Sequence, residues 1–169
     1  MNVIETERLR LRQFTVDDAE FILALVNEPS FIQNIGDRGV RTVLDAVKYL
    51  ETGSISSYAR NGFGLWCVML KKSGESIGMC GLIKRDALDD VDIGYAYLPK
   101  YWAKGYAVEA ALEVKEFARA VVKRNRIVAI VDPANAGSIR LLEKIGMKFE
   151  RMVNLSADGI ELKLFGCDL

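Results

Sequence analysis

Two stretches of this 169-residue chain hold residues in an order that could do chemistry. The first runs from Ile93-Gly94-Tyr95-Ala96-Tyr97-Leu98-Pro99 into Tyr101-Trp102-Ala103-Lys104-Gly105-Tyr106-Ala107-Val108-Glu109-Ala110. A strand pattern stops at a proline, a short loop with small residues follows, and a helical pattern begins at once. The first N–H groups of a helix have no acceptor within it, and the dipole is positive at that end. Such a terminus holds anions, pyrophosphate among them. Gly105 and Ala107 permit close approach, because a larger side chain would stand between backbone and phosphate. The second stretch is Asp132-Pro133-Ala134-Asn135-Ala136-Gly137-Ser138, which leads into Ile139-Arg140-Leu141-Leu142-Glu143-Lys144-Ile145-Gly146. Asn135 and Ser138 stand between a strand and a helix. Each can cap that helix, and each can hydrogen-bond a ligand. Taken singly, the first stretch reads better as a tight connection and the second as an ordinary cap.

The chain has no histidine. That removes the Ser-His-Asp triad, the Cys-His pair, HExxH zinc sites and every imidazole proton shuttle. Acid–base work falls to carboxylates, Tyr, Lys, Ser or water, and no metal is expected. Cys67, Cys80 and Cys167 are odd in number and form no CxxC pair, so they read as free thiols in a reducing cytoplasm. The 23 basic and 23 acidic residues cancel. A duplex-binding protein draws its affinity from a basic excess, so no nucleic-acid partner is expected. The run Lys123-Arg124-Asn125-Arg126 reads as cations at a helix C-terminus. No stretch of eighteen apolar residues occurs, so no membrane span is expected, and the opening residues lack a signal-peptide core.

These segments need a frame. Ile4 to Gln13 alternates, with Leu9 and Leu11 on one side and Arg8, Arg10 and Arg12 on the other, as a half-exposed strand does. Thr15-x-x-Asp18 and Thr42-x-x-Asp45 are capping boxes for two helices, the first ending at Glu28-Pro29-Ser30. A polar loop is expected from there to Arg41. Leu65–Leu70, Ser76–Lys84, Asp92–Leu98 and Ile127–Val131 read as strands. From Gly105 the period changes, and Ala107, Ala110, Ala111, Val114, Phe117, Ala118 and Val121 follow the 3.6-residue rhythm of a helix. Met147–Leu155 and Ile160–Phe165 form a hairpin around Asp158-Gly159. The order β-α-α-β-β-β-α-β-α-β-β gives one α+β domain over residues 1–169.

Together the two stretches resemble the GNAT superfamily of acyl-CoA-dependent N-acetyltransferases. Within it they are most similar to the ribosomal-protein alanine N-acetyltransferase (RimJ/RimL-type) branch, whose start resembles Thr6-Glu7-Arg8-Leu9-Arg10-Leu11-Arg12 and Asp17-Asp18-Ala19. The resemblance implies a mixed, mostly antiparallel seven-stranded sheet with about four helices, splayed between its fourth and fifth strands. It implies transfer of an acetyl group from acetyl-CoA to a primary amine by direct attack in a ternary complex. The acceptor would be a protein N-terminus or a small amine, and the enzyme a monomer or homodimer. The superfamily's coenzyme loop, Arg/Gln-x-x-Gly-x-Gly/Ala, places Trp102 in its first position and Gly105 and Ala107 in its last two. Ala103 stands where a further glycine is common. By this resemblance, backbone N–H groups of Ala103, Lys104, Gly105, Tyr106, Ala107 and Val108 hold the pyrophosphate. The backbone of Ala96, Tyr97 and Leu98 lies along the pantetheine arm, Asn135 bonds that arm, and Ser138 donates to the departing thiolate. Asp92, where the branch usually has Glu, is the implied base. Many members carry a tyrosine acid in the helix after Asn135; here that slot is Leu142. Trp66, Tyr95 and Tyr97 could line the acceptor cleft or pack the core. The acceptor would meet residues 28–41, with Phe31, Arg38 and Arg41, and the hairpin bearing Asp158. The alternatives are a non-catalytic acyl-CoA sensor of the same fold and a nucleotide-phosphate binder on another fold.

Overall fold

The computed structural model describes residues 2–156 and 159–169. Asp158, expected in the last hairpin turn and at the acceptor cleft, lies outside them. Eight strands form one sheet in the order β1-β2-β3-β4-β5-β6-β8-β7. They are β1 (Asn2–Glu5), β2 (Leu9–Arg12), β3 (Leu65–Leu70), β4 (Ser76–Ile83), β5 (Asp92–Tyr97), β6 (Arg126–Val131), β7 (Lys148–Val153) and β8 (Leu162–Asp168). Neighbours are antiparallel except β5 and β6, which run parallel and share one pair, Asp92 with Val128. Val128 N donates to Val91 O at 3.1 Å just before the strands part. The sheet therefore opens between β5 and β6, where the family resemblance places the splay.

The strand count differs from the expected seven. Residues 4–13 do not form one strand. They fold into a β1–β2 hairpin with Ile4 opposite Leu11 and Glu5 opposite Arg10. Thr6 N donates to Leu9 O at 2.9 Å, and Leu9 N donates to Thr6 Oγ1 at 2.9 Å. The alternation itself holds: Leu9 and Leu11 are fully buried.

The helices are α1 (Ala19–Val26), α2 (Pro29–Asn34), α3 (Val43–Leu50), α4 (Ser56–Asn61), α5 (Tyr106–Ala120) and α6 (Ala136–Lys144). Thr15 and Thr42 form the expected capping boxes, the first on a 3₁₀ turn leading into α1. The loop expected over residues 28–41 is partly helical. Pro29 opens α2 instead of merely ending α1, because proline at a first helical position loses no needed N–H. A π turn over Glu51–Ile55 joins α3 to α4, which stops at Gly62 in a left-handed conformation. Alternation along the strands sorts the core into two faces. Leu9, Leu11, Trp66, Val68, Cys80, Ile93 and Tyr97 pack with Ala110, Ala111 and Val114 of α5 and Leu142 of α6. Cys67, Met79 and Ala96 face the other way, toward Ile22, Leu25, Ala46 and Leu50 of α1 and α3.

Candidate active site

The entry to α5 is left open. Gly105 occupies the N-cap with φ +83°, and no side chain caps the helix. Its first internal bond is Glu109 N to Gly105 O, 3.1 Å. The N–H groups of Tyr106, Ala107 and Val108 precede that bond, and they are the donors a helix offers to an outside acceptor. Residues 103–105 are exposed. Ala103 itself sits at φ +60°, in the left-handed region. The position is one where glycine is the unstrained choice, which explains physically why a glycine is common there.

The β1–β2 turn holds this loop from behind. Thr6 Oγ1 donates to Glu109 Oε1 at 2.6 Å, Arg8 N donates to the same oxygen at 2.9 Å, and Arg8 Nε donates to Oε2 at 2.7 Å. Burial pushes the Glu109 carboxyl up, but the donors from Thr6 and Arg8 outweigh it and leave the group below its ordinary range. Arg8 Nη1 donates to Lys104 O at 3.1 Å, and the guanidinium lies over the Tyr106 ring, 4.4 Å from its centre. Across a trans peptide the N–H points opposite to the carbonyl. Drawing the Lys104 carbonyl toward Arg8 therefore turns the Gly105 N–H away from Arg8.

At the mouth of the splay, Leu98 N donates to Ile77 O at 3.0 Å. Antiparallel bonding alternates, so Ala96 and Gly94 also turn their backbone groups to β4. The groups of Tyr95 and Tyr97 turn instead to the opening. Of Ala96, Tyr97 and Leu98, whose backbone is expected along the pantetheine arm, Tyr97 turns its groups to the opening, joined by Tyr95. Trp102, half exposed, donates its indole N–H to the outward Tyr97 carbonyl at 3.0 Å.

Asn135 caps α6, its Oδ1 accepting from Ser138 N at 3.2 Å. The Asn135 amide donors are what it can offer a ligand. Ser138 Oγ lies 2.5 Å from the hydroxyl of Tyr95, which reaches it from β5. Sequence reasoning placed Tyr95 on a cleft or in the core and missed this contact. Burial raises the Tyr95 phenol to about 12, against the pull of the Ser138 hydrogen bond. Leu142 is fully buried in the core and offers no proton. Trp66 is core as well, edge-on to Phe117 at 4.9 Å, and so is the Tyr97 side chain.

Asp92, the base implied by the resemblance, is buried. It is 1% exposed, and Arg85 Nε donates to both its oxygens at 3.2 and 3.3 Å. Burial raises its pKa to about 6 despite the attraction of Arg85. By strand alternation Asp92 shares the face of Ala96, opposite to the face that carries Tyr95 and Ser138. Tyr49 of α3, in the field of Arg38 and Arg85, packs on the Ala96 face of the sheet, the Asp92 side. Of the other residues expected to meet an acceptor, Phe31 is buried, and Arg41 is held by Asp37 and Asn27. The arrangement can hold a phosphorylated ligand at one end of the splay. It can place a raised carboxyl and a hydroxyl pair on opposite faces of the gap.

Comparison with known proteins agrees with this geometry. The chain is 30% identical over 152 residues to the uncharacterized N-acetyltransferase YoaA of Bacillus subtilis (strain 168), covering 88% of this chain and 84% of YoaA. The crystal structure of a GNAT-family acetyltransferase from Bacillus anthracis superposes with a TM-score of 0.80 at 26% identity, over 99% of this chain and 98% of that one. The fold also matches a ribosomal-protein-S5-alanine acetyltransferase from Vibrio fischeri, with a TM-score of 0.80, 19% identity, and 99% and 96% of the two chains covered. At that identity the likeness is one of fold. Residues 8–148, which include the open end of α5, the splay and Ser138, match the acetyltransferase (GNAT) domain model, and the chain belongs to the GNAT acetyltransferase family.

Proposed function

We propose that this enzyme transfers an acetyl group from acetyl-CoA directly to a primary amine bound beside it, the amine being a protein N-terminal α-amine or a small molecule. The observation that carries the reading is the uncapped entry of α5 beside the β5–β6 opening. Backbone N–H groups of residues 103–108 hold the pyrophosphate, and the pantetheine arm follows the outward backbone of Tyr95 and Tyr97. The Tyr95 N–H then serves as donor to the tetrahedral oxyanion. The amine attacks from the Asp92 face, and sulfur leaves on the Ser138 face. A neutral α-amine needs little help, since its pKa is near 8. A carboxyl raised to about 6 is a base matched to that task. Ser138 donates to the departing thiolate, and Asn135 steadies the arm. Three free cysteines favour a cytoplasmic setting.

The test is thiol release from acetyl-CoA across amines and peptides with free N-termini, with Gly105→Glu as the control for the cradle. Wild-type turnover on at least one amine is expected. In the variant, the Kd for acetyl-CoA should rise at least tenfold, while the melting temperature falls by only a few degrees. Stabilisation by acetyl-CoA with no turnover on any acceptor would instead identify a sensor, and unchanged affinity in the variant would refute the phosphate assignment.

A further inference from the structure

The family's tyrosine slot on α6 is Leu142, and Leu142 is sealed in the core. A phenol nevertheless reaches the start of α6, from the other side of the splay. Tyr95 lies on the face of β5 that α5 and α6 cover, and its hydroxyl meets Ser138 Oγ at 2.5 Å, with Ser138 O at 3.5 Å. Forty-three residues separate the pair along the chain. It bridges the gap that the transfer reaction, as proposed above, would use.

We propose that Tyr95 is a positioning residue for the leaving sulfur: its hydroxyl donates to Ser138 Oγ, fixes the serine rotamer, and leaves the serine's own proton for the thiolate. The direction follows from chemistry. A phenol is the stronger acid of the two hydroxyls, and a serine oxygen accepts and donates at once. A serine that accepts a hydrogen bond is a better donor, because the chain of bonds polarises cooperatively. The Tyr95 phenol keeps its proton at neutral pH, because burial raises it to about 12, well above the roughly 8.5 of a thiol. No proton passes from Tyr95 to sulfur. The amine nitrogen forms the C–N bond, the C–S bond breaks with its electron pair going to sulfur, and the proton lost by nitrogen passes to Asp92 or water. Ser138 stabilises the thiolate by hydrogen bonding alone, and Tyr95 acts through Ser138.

This inference rests on the acetyl-transfer reading and on the role of Ser138 in it. The experiment is a double-mutant cycle, Tyr95→Phe, Ser138→Ala and the double variant, scored by kcat, KM for acetyl-CoA and melting temperature. Tyr95→Phe should lower kcat about tenfold, the worth of one neutral hydrogen bond, with KM for acetyl-CoA changed less than twofold. In the Ser138→Ala background the same substitution should change kcat less than twofold, since the partner is gone. A merely structural tyrosine would slow both backgrounds equally, and that result overturns the proposal. If Tyr95→Phe fails to fold, 3-fluorotyrosine at position 95 replaces it; the fluorophenol, a stronger donor, should keep or raise kcat, and a loss refutes the relay. If Ser138→Ala slows turnover and Tyr95→Phe does not, the relay is wrong while the role of Ser138 stands. If wild type acetylates no amine, the underlying reading fails instead.

Discussion

Replacing Ala103 by glycine should stabilise the protein, although glycine in a loop ordinarily destabilises. Ala103 holds φ +60°. An L-residue in this conformation costs roughly 1–2 kcal/mol, through crowding of its Cβ against the following carbonyl. Glycine removes that term. It also adds freedom to the unfolded chain, which costs about 0.4–1 kcal/mol. The difference leaves Ala103→Gly about 0.5–1 kcal/mol more stable. For a chain of this size, each kcal/mol moves the midpoint by roughly 2–4 °C, so an increase of about 1–4 °C is expected in a thermal melt followed by circular dichroism. Ala103→Val is the opposing perturbation. A β-branched residue is poorly tolerated at positive φ, and the variant should melt below wild type. Because residue 103 is exposed, lost packing does not confuse either comparison. Saturating acetyl-CoA should raise the midpoints of wild type and of the Ala103→Gly variant by similar amounts if the loop conformation is the binding one. A lower midpoint for Ala103→Gly would show that the loop is not held left-handed at this residue, and would remove the explanation of the family's glycine.

Two further outcomes follow from backbone contact and from burial. A Cβ on Gly81 would lie 2.0 Å from Gly64 O and 2.8 Å from Leu65 Cα; both are backbone, so Gly81→Ala should lose roughly 3 kcal/mol or more in urea unfolding, and a loss below 1 kcal/mol would contradict the close approach of β4 to the start of β3. The raised Asp92 carboxyl is protonated more readily in the folded chain than in the unfolded one, so its contribution to stability is full below about pH 4 and is lost as pH rises through about 6, roughly 3 kcal/mol in all; the stability difference between wild type and Asp92→Asn should shift in favour of wild type from pH 7 to pH 4.5, and a pH-independent difference would refute the raised carboxyl.

The features legible in the chain were those whose causes are local. Leu9 and Leu11 point inward because a strand alternates. Thr15 and Thr42 start helical turns because their oxygens and the carboxylates three residues on satisfy N–H groups at both capped ends. Gly105 marks the loop because its φ demands it. The missed features have partners far away in sequence. Residues 4–13 break into a hairpin at Thr6–Arg8 because Glu109, about a hundred residues on, gathers Thr6 Oγ1, Arg8 N and Arg8 Nε. Asp92 is the nearer case: the turn after Ile83 brings Arg85, seven residues before it, back over the carboxylate, which strand alternation alone does not show. Tyr95 reads as core or cleft, and only the approach of α6 gives its hydroxyl a partner. Pro29 misled for another reason: the same residue that ends one helix is favoured at the first position of the next, and the sequence pattern alone does not separate the two.

The caps of the helices show where local rules yield to function. α3 and α6 have side-chain caps from Thr42 and Asn135, and the turn leading into α1 has one from Thr15. The short α2, which opens on Pro29, and α4, which continues from the π turn, have none, and neither has the 15-residue α5. A good cap contributes about 1 kcal/mol, so leaving the longest of these helices without one needs a reason. On the proposed reading, a serine or aspartate at position 105 would place its oxygen on the N–H groups that a phosphate would need, and would compete with it. The chain keeps those donors free and stabilises the helix entry elsewhere. Glu109, in the first turn, faces the positive end of the dipole and is itself held by three donors from the β1–β2 turn. Arg8, which supplies two of those three through its backbone and its side chain, also draws the Lys104 carbonyl toward itself. The eight-stranded sheet and the open α5 entry thus have one cause in common. The hairpin that adds a strand is the same device that holds the α5 entry in shape without covering it.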